Sequence, residues 1–89
     1  MVKKDLKIIN MLGLHARAAA KLATTAKRFS SHIELTANSK TVDCKSVMSL
    51  MLLAASKGTD VTLLANGDDE VDALKATEEL INNRFDEDK

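Results

Sequence analysis

His32-Ile33-Glu34-Leu35-Thr36-Ala37-Asn38-Ser39-Lys40-Thr41-Val42-Asp43-Cys44 holds the pattern on which the fold turns. Ile33 and Leu35 alternate with Glu34 and Thr36, the period of two expected of a half-buried strand over 32–37. Asn38-Ser39 reads as a tight turn, and residues 40–44 return as a second strand with Val42 and Cys44 inward. This is the only connection in the chain short enough to be a hairpin. Every other connection carries a helix or leads into one.

Upstream, residues 16–29 have helical spacing. Ala19, Leu22, Ala23, Ala26 and Phe29 fall on one stripe, with Lys21, Lys27 and Arg28 away from it. Residues 3–10 read as a short strand with Leu6 and Ile8 opposite Lys7, and a connector containing Gly13 joins it to the helix. Downstream, Ser46 has the character of a helix N-cap, and Lys57-Gly58 that of the same helix's end, with a cation in the last turn and a C′ glycine. Residues 60–65 alternate through Val61, Leu63 and Ala65, and Asn66-Gly67 is a turn. Asp68-Asp69-Glu70 then set three anions at the start of a last helix, where the helix dipole favours them. Leu74, Thr77, Leu80 and Ile81 form its buried stripe, Phe85 closes it, and residues 86–89 are expected to fray.

The order is β-α-β-β-α-β-α. Helices that share one apolar surface to cover imply an α+β open-faced β-sandwich, with three helices on one face of a four-stranded antiparallel sheet. Lys7, Glu34, Thr36 and Thr62 face outward on the other side. Eighty-nine residues make one domain, 1–89. The chain has no Trp or Tyr and two Phe, which excludes the aromatic platforms on which single-stranded nucleic acids stack. A single cysteine excludes a disulfide framework and a cysteine-based zinc site, and fits a reducing cytosol. The longest apolar stretch, 47–55, is far short of the ~20 residues of a spanning helix, so the expectation is a cytoplasmic chain without a membrane partner. No cofactor is implied. Formal charge is zero overall, yet residues 1–57 carry net +7 and residues 58–89 net −7. The first part is expected to suit an acidic protein or a phosphorylated group, unless folding intermixes the two.

Two segments carry candidate chemistry. His15 follows Gly13-Leu14 and immediately precedes a helix, so the unpaired backbone N–H groups of Ala16, Arg17 and Ala18 should point toward its ring. With the Arg17 guanidinium they form a phosphate-binding corner beside a nucleophilic imidazole nitrogen. His15 therefore reads either as a phosphoryl acceptor or as a simple N-cap. His32, at the start of a strand, reads as an exposed or capping residue. The helix after Ser46 is apolar nearly all round. Leu50, Leu53 and Ala54 are assigned to the core, and Val47, Met48 and Met51 to a partly exposed face that is either a docking surface or part of a well-buried short helix.

Gly13-Leu14-His15-Ala16-Arg17-Ala18-Ala19-Ala20-Lys21-Leu22 resembles the active-site signature of the HPr phosphocarrier family of the phosphoenolpyruvate-dependent phosphotransferase system. Lys45-Ser46-Val47-Met48-Ser49-Leu50-Met51 resembles its second signature. The resemblance covers essentially the whole chain and implies a sheet of order 1-4-2-3. It also implies that His15 carries phosphate on Nδ1, receiving it from enzyme I and passing it to an IIA-type protein. Such a protein is a stoichiometric carrier rather than an enzyme, and is expected to be a monomer. The expected partner surface is Val47, Met48, Met51, Ala20, Lys21 and Lys27. Ser46 matches a position of regulatory phosphorylation by a dedicated HPr serine kinase/phosphatase, and its other reading is a helix cap alone. Ala18 stands where the family usually has proline, and both residues suit a first helical turn. Ala18, the run 51–58 and the Phe85-Asp86-Glu87-Asp88 ending look most like the nitrogen-related branch, NPr.

Overall fold

Alternating strands that present one apolar face must pair so that those faces coincide, and the registers of this chain do that. The computed structural model describes residues 1–89. Strands β1 (Val2–Lys7), β2 (His32–Ala37), β3 (Lys40–Asp43) and β4 (Asp60–Asn66) form one antiparallel sheet of order β1-β4-β2-β3. Leu63 pairs with Leu35, and Leu35 with Val42, while Ala65 pairs with Ile33 and Leu6 with Val61. These rows face the helices. The opposite face carries a polar row across all four strands, Asp5, Thr62, Thr36 and Thr41. Thr62 Oγ1 donates to Asp5 at 2.9 Å, and the Thr36 and Thr41 hydroxyls lie 2.8 Å apart. Asn38 and Ser39 both take positive φ, 51° and 66°, as a two-residue hairpin joining β2 to β3 requires.

Three helices cover the apolar face: α1 (Ala16–Ala26), α2 (Val47–Leu52) and α3 (Glu70–Asn82). The α1 stripe is buried as expected at Ala19, Leu22, Ala23 and Ala26, and Phe29 is half-buried. On α3 the buried stripe is Ala73, Thr77 and Ile81, with Leu74 and Leu80 half-buried at its margins. Thr77 is tolerated there because its hydroxyl donates back to the Ala73 carbonyl at 2.8 Å. Burying each large aliphatic side chain contributes about 1.5–3 kcal/mol, so the shared core of Ile33, Leu35, Leu63, Leu22, Leu50 and Ile81 is the main source of stability.

Several boundaries differ from the sequence expectation. β1 ends at Lys7, with Ile8 buried beyond it, and β3 ends at Asp43, with Cys44 buried beyond it. The second helix stops at Leu52 rather than running to Lys57. Tertiary hydrogen bonds take over its would-be helical groups. Asn38 Nδ2 donates to the Leu53 carbonyl at 2.9 Å, and the Leu14 N–H to the Ala55 carbonyl at 2.8 Å. Ala54 turns out of the helix at φ 52° and is exposed, and Ala55 takes the core place assigned to it. Gly58, at φ 89°, donates to the Ile8 carbonyl at 2.7 Å and serves the entry to β4 rather than a helix end. Residues 86–89 are held against the body of the protein, since the Met11 N–H donates to the Lys89 carbonyl at 3.0 Å and Asn10 Nδ2 to Glu87 Oε1 at 3.0 Å.

At the N-terminus of α3 the Asp69 carboxylate clamps the start of β2. It accepts from the Ser30 and Ser31 N–H groups, both at 2.9 Å, and from the Ser31 hydroxyl. The Ser31 hydroxyl, followed by these amides, lowers the Asp69 pKa to about 2. The group is charged throughout the range above its ordinary value near 3.8, and its contribution is lost as pH falls from there through 2. Asp69→Asn is therefore expected to lower the thermal midpoint at neutral pH. The gap to wild type should close between pH 4 and pH 2 in a pH series of melts.

Candidate functional site

The connector between β1 and α1 is shaped by Gly13. Its φ of 67° is left-handed, and a Cβ there would lie 2.6 Å from the Ala55 oxygen and 2.8 Å from the Ser56 Cα. Only glycine lets the loop come this close, and the closeness permits the bond from Leu14 N–H to Ala55. Asn10, fully buried, ties the loop from within by donating to the Gly13 carbonyl at 2.8 Å. The buried Leu14 side chain anchors the loop, and the next residue emerges extended at φ −80°, ψ 178° as the N-cap of α1.

That residue is His15. Its Nδ1 accepts from the Arg17 N–H at 3.3 Å, so the Nδ1 lone pair faces the start of the helix. Its Nε2 faces the Glu87 carboxylate, which requires a proton on Nε2. The ring is thus held with Nδ1 toward the first helical turn, where the Arg17 N–H is its partner. The N-cap reading of His15 is therefore what this arrangement shows. Glu87 is half-buried. Desolvation pushes its pKa up, but the hydrogen bonds from Asn10 and His15 and the nearby charge of Arg17 hold it below the ordinary value.

On α2, Leu50 is buried and Val47 half-buried, while Met48 is 79% exposed, Met51 46% and Leu52 69%. Ser46 caps this helix, its hydroxyl accepting from the Ser49 N–H at 3.2 Å. A family model described as "PTS HPr component phosphorylation site" matches residues 2–83. The chain belongs to the HPr family. It is 48% identical to the phosphocarrier protein HPr of Neisseria meningitidis serogroup A over 98% of both chains. HPr-C-His from Thermoanaerobacter tengcongensis superposes with a TM-score of 0.95 at 44% identity, covering 100% of each chain. An HPr dimer from the same organism matches with a TM-score of 0.78 at 45% identity, covering 98% of this chain and all of that one. Membership in the HPr family carries a phosphocarrier role in outline, and the sheet order and three helices agree with the HPr fold.

The HPr fold brings some of the expected residues together and keeps others apart. The exposed Arg17 borders a groove with Met11, Leu12, Lys21 and residues 86–89. Ala20 is exposed on the same helix, and Lys21 Nζ donates to the Phe85 carbonyl at 3.0 Å. Lys27 caps the far end of α1, about 16 Å along the helix from Ala16 at 1.5 Å per residue, and does not join His15. His32 lies 2.8 Å from Glu34 and is exposed on its strand. Cys44 is buried, and its thiol is pushed up to about 12 by burial and by Asp43 and Glu34, so it offers no nucleophile. The sequence reading missed Asn10, Glu87, Met11 and Leu12. For the last two a signal was present, as two large apolar residues stand in a connector with no strand or helix stripe to join. No helix is long and apolar enough to cross a membrane.

Proposed function

We propose that this chain is a histidine phosphocarrier that accepts a phosphoryl group from enzyme I at His15 Nδ1 and passes it to an IIA-type protein. The observation that carries the reading is the ring's orientation, with Nδ1 toward the N-terminal amide of α1 and Nε2 against a carboxylate. In the transfer, the Nδ1 lone pair forms the N–P bond while the bond from phosphorus to the donor atom breaks, and that electron pair leaves with the donor. No proton has to depart from Nδ1. The Arg17 N–H releases Nδ1 to phosphorus as the bond forms, and with the amides of Ala16 and Ala18 and the Arg17 guanidinium would meet the phosphoryl oxygens, stabilising charge by donors at a helix start. Residues 1–89 act as one domain and as a cytoplasmic monomer. The chain turns over nothing by itself, so it is a carrier rather than an enzyme.

Val47, Met48 and Met51, extended by the exposed Leu52, form the apolar docking surface, with Ala20 and Lys21 contributed by α1. The acidic residues 86–88 fold beside Arg17 and Lys21, so the charge division along the chain is partly cancelled here. Apolar contact therefore does more of the docking than long-range attraction. A nitrogen-branch role is favoured by the same Ala18 and tail residues that first suggested it, and a panel of enzyme I and IIA proteins tests it. Ser46, as a cap on a half-exposed helix start, can also take phosphate from a dedicated HPr serine kinase without strain to the fold.

His15→Ala should abolish acid-labile phosphorylation by enzyme I with phosphoenolpyruvate while leaving the circular dichroism spectrum intact. Phosphorylation retained in that variant would refute the reading. Met48→Asp should weaken enzyme I binding by more than about 1 kcal/mol in titration calorimetry, because a charge would be desolvated in an apolar contact, with little change in melting. Ser46→Asp adds an anion at a helix start, so its melting midpoint should equal or exceed that of wild type. Its phosphorylation at His15 should be slower at low salt, and a rate equal to wild type there would leave Ser46 as a cap alone.

A further inference from the structure

The fold segregates its sulfur. The chain has four Met and one Cys, and the cluster of 20 buried hydrophobic residues contains the cysteine but no methionine. Met1, Met11, Met48 and Met51 are all exposed. Two of them, Met48 and Met51, stand three residues apart on α2, the spacing that sets side chains beside each other on a helix surface. Leu50, between them in sequence, and Leu53 are turned into the core, so the burial that anchors α2 does not depend on either thioether. Methionine is adaptable and apolar, and it is also the one residue type on this face that a two-electron oxidant makes polar and a reductant restores. Cys44 does not compete for the oxidant. It is fully buried, and burial raises its pKa to about 12, so the reactive thiolate is absent.

We propose that Met48 and Met51 form a reversible oxidation site, at which hydrogen peroxide turns the apolar face of α2 polar and weakens partner docking. The proposal rests on the reading of that face as the docking surface for enzyme I. In the step, a lone pair of the thioether sulfur attacks one peroxide oxygen. The S–O bond forms as the O–O bond breaks, and the departing hydroxide takes the proton left on the new oxygen, giving water. Sulfur loses two electrons and the peroxide gains them. The sulfoxide oxygen is a strong hydrogen-bond acceptor, and an apolar contact strips its water without supplying a donor. Return requires a dithiol reductant, with the sulfoxide oxygen leaving as water and the two thiols joining as a disulfide. The fold survives both directions, because the two sulfur atoms lie outside the buried cluster.

The test treats the protein with millimolar hydrogen peroxide, removes the peroxide with catalase and maps the products by peptide mass. Met48 and Met51 are each expected to gain one oxygen, with Cys44 unmodified and the melting midpoint close to that of untreated protein. Affinity for enzyme I in titration calorimetry should fall roughly tenfold. Methionine sulfoxide reductase with dithiothreitol should restore it. A double variant, Met48→Leu with Met51→Leu, keeps Met1 and Met11, and its affinity, whatever the untreated value, should not change on treatment. An equal loss in the double variant would assign the effect to another residue and overturn the proposal. So would the absence of oxygen at both positions, or unchanged wild-type affinity with both sulfoxides formed. The mass map needs no partner. Failure of untreated wild type to bind enzyme I would therefore strike the docking reading separately, with the map still deciding whether Met48 and Met51 are the oxidised residues.

Discussion

The hydrogen bond from the Leu14 N–H to the Ala55 carbonyl joins two segments that have no regular structure of their own, and the geometry of the site hangs on it. One segment is the loop that presents His15, and the other is the run between α2 and β4. For the two backbones to meet, the residue before Leu14 must have no side chain, and the run beyond α2 must leave the helix to aim a carbonyl sideways. Gly13 meets the first demand and the left-handed Ala54 the second. The short α2 is thus a consequence of building the histidine loop. On this short helix Met48, Met51 and Leu52 stay uncovered. One crossing of two segments positions His15 and limits the length of α2.

What could be read from the amino acids was what local periodicity controls. β2 spans the residues its alternation marks, because Ile33 and Leu35 have no other way to share a buried face. Ser46 acts as the expected cap and His15 stands at the start of a helix, since both depend on the few residues that follow them. The end of α2 was not legible. Leu53 to Gly58 carries good local signals for a helix and its terminus, but Asn38 and Leu14 claim its carbonyls from far along the chain. Distance in sequence explains the other omission. Glu87 lies 72 residues from His15 and 77 from Asn10, and an acidic tail reads as solvated until its partners are known.

The hairpin strands carry one more feature with a practical meaning. Cys44 follows β3 with its sulfur sealed, its backbone N–H bonded to the Ile33 carbonyl at 2.9 Å and its thiol raised to about 12 by burial and by Asp43 and Glu34. In neutral solution an alkylating reagent finds neither an accessible sulfur nor a thiolate in the folded chain. Reaction at Cys44 then proceeds only through excursions that lift the β3 edge from the helices. The chain therefore contains a built-in clock for its own opening, in which the rate of thiol capture reports the free energy of those excursions, undisturbed by any second cysteine.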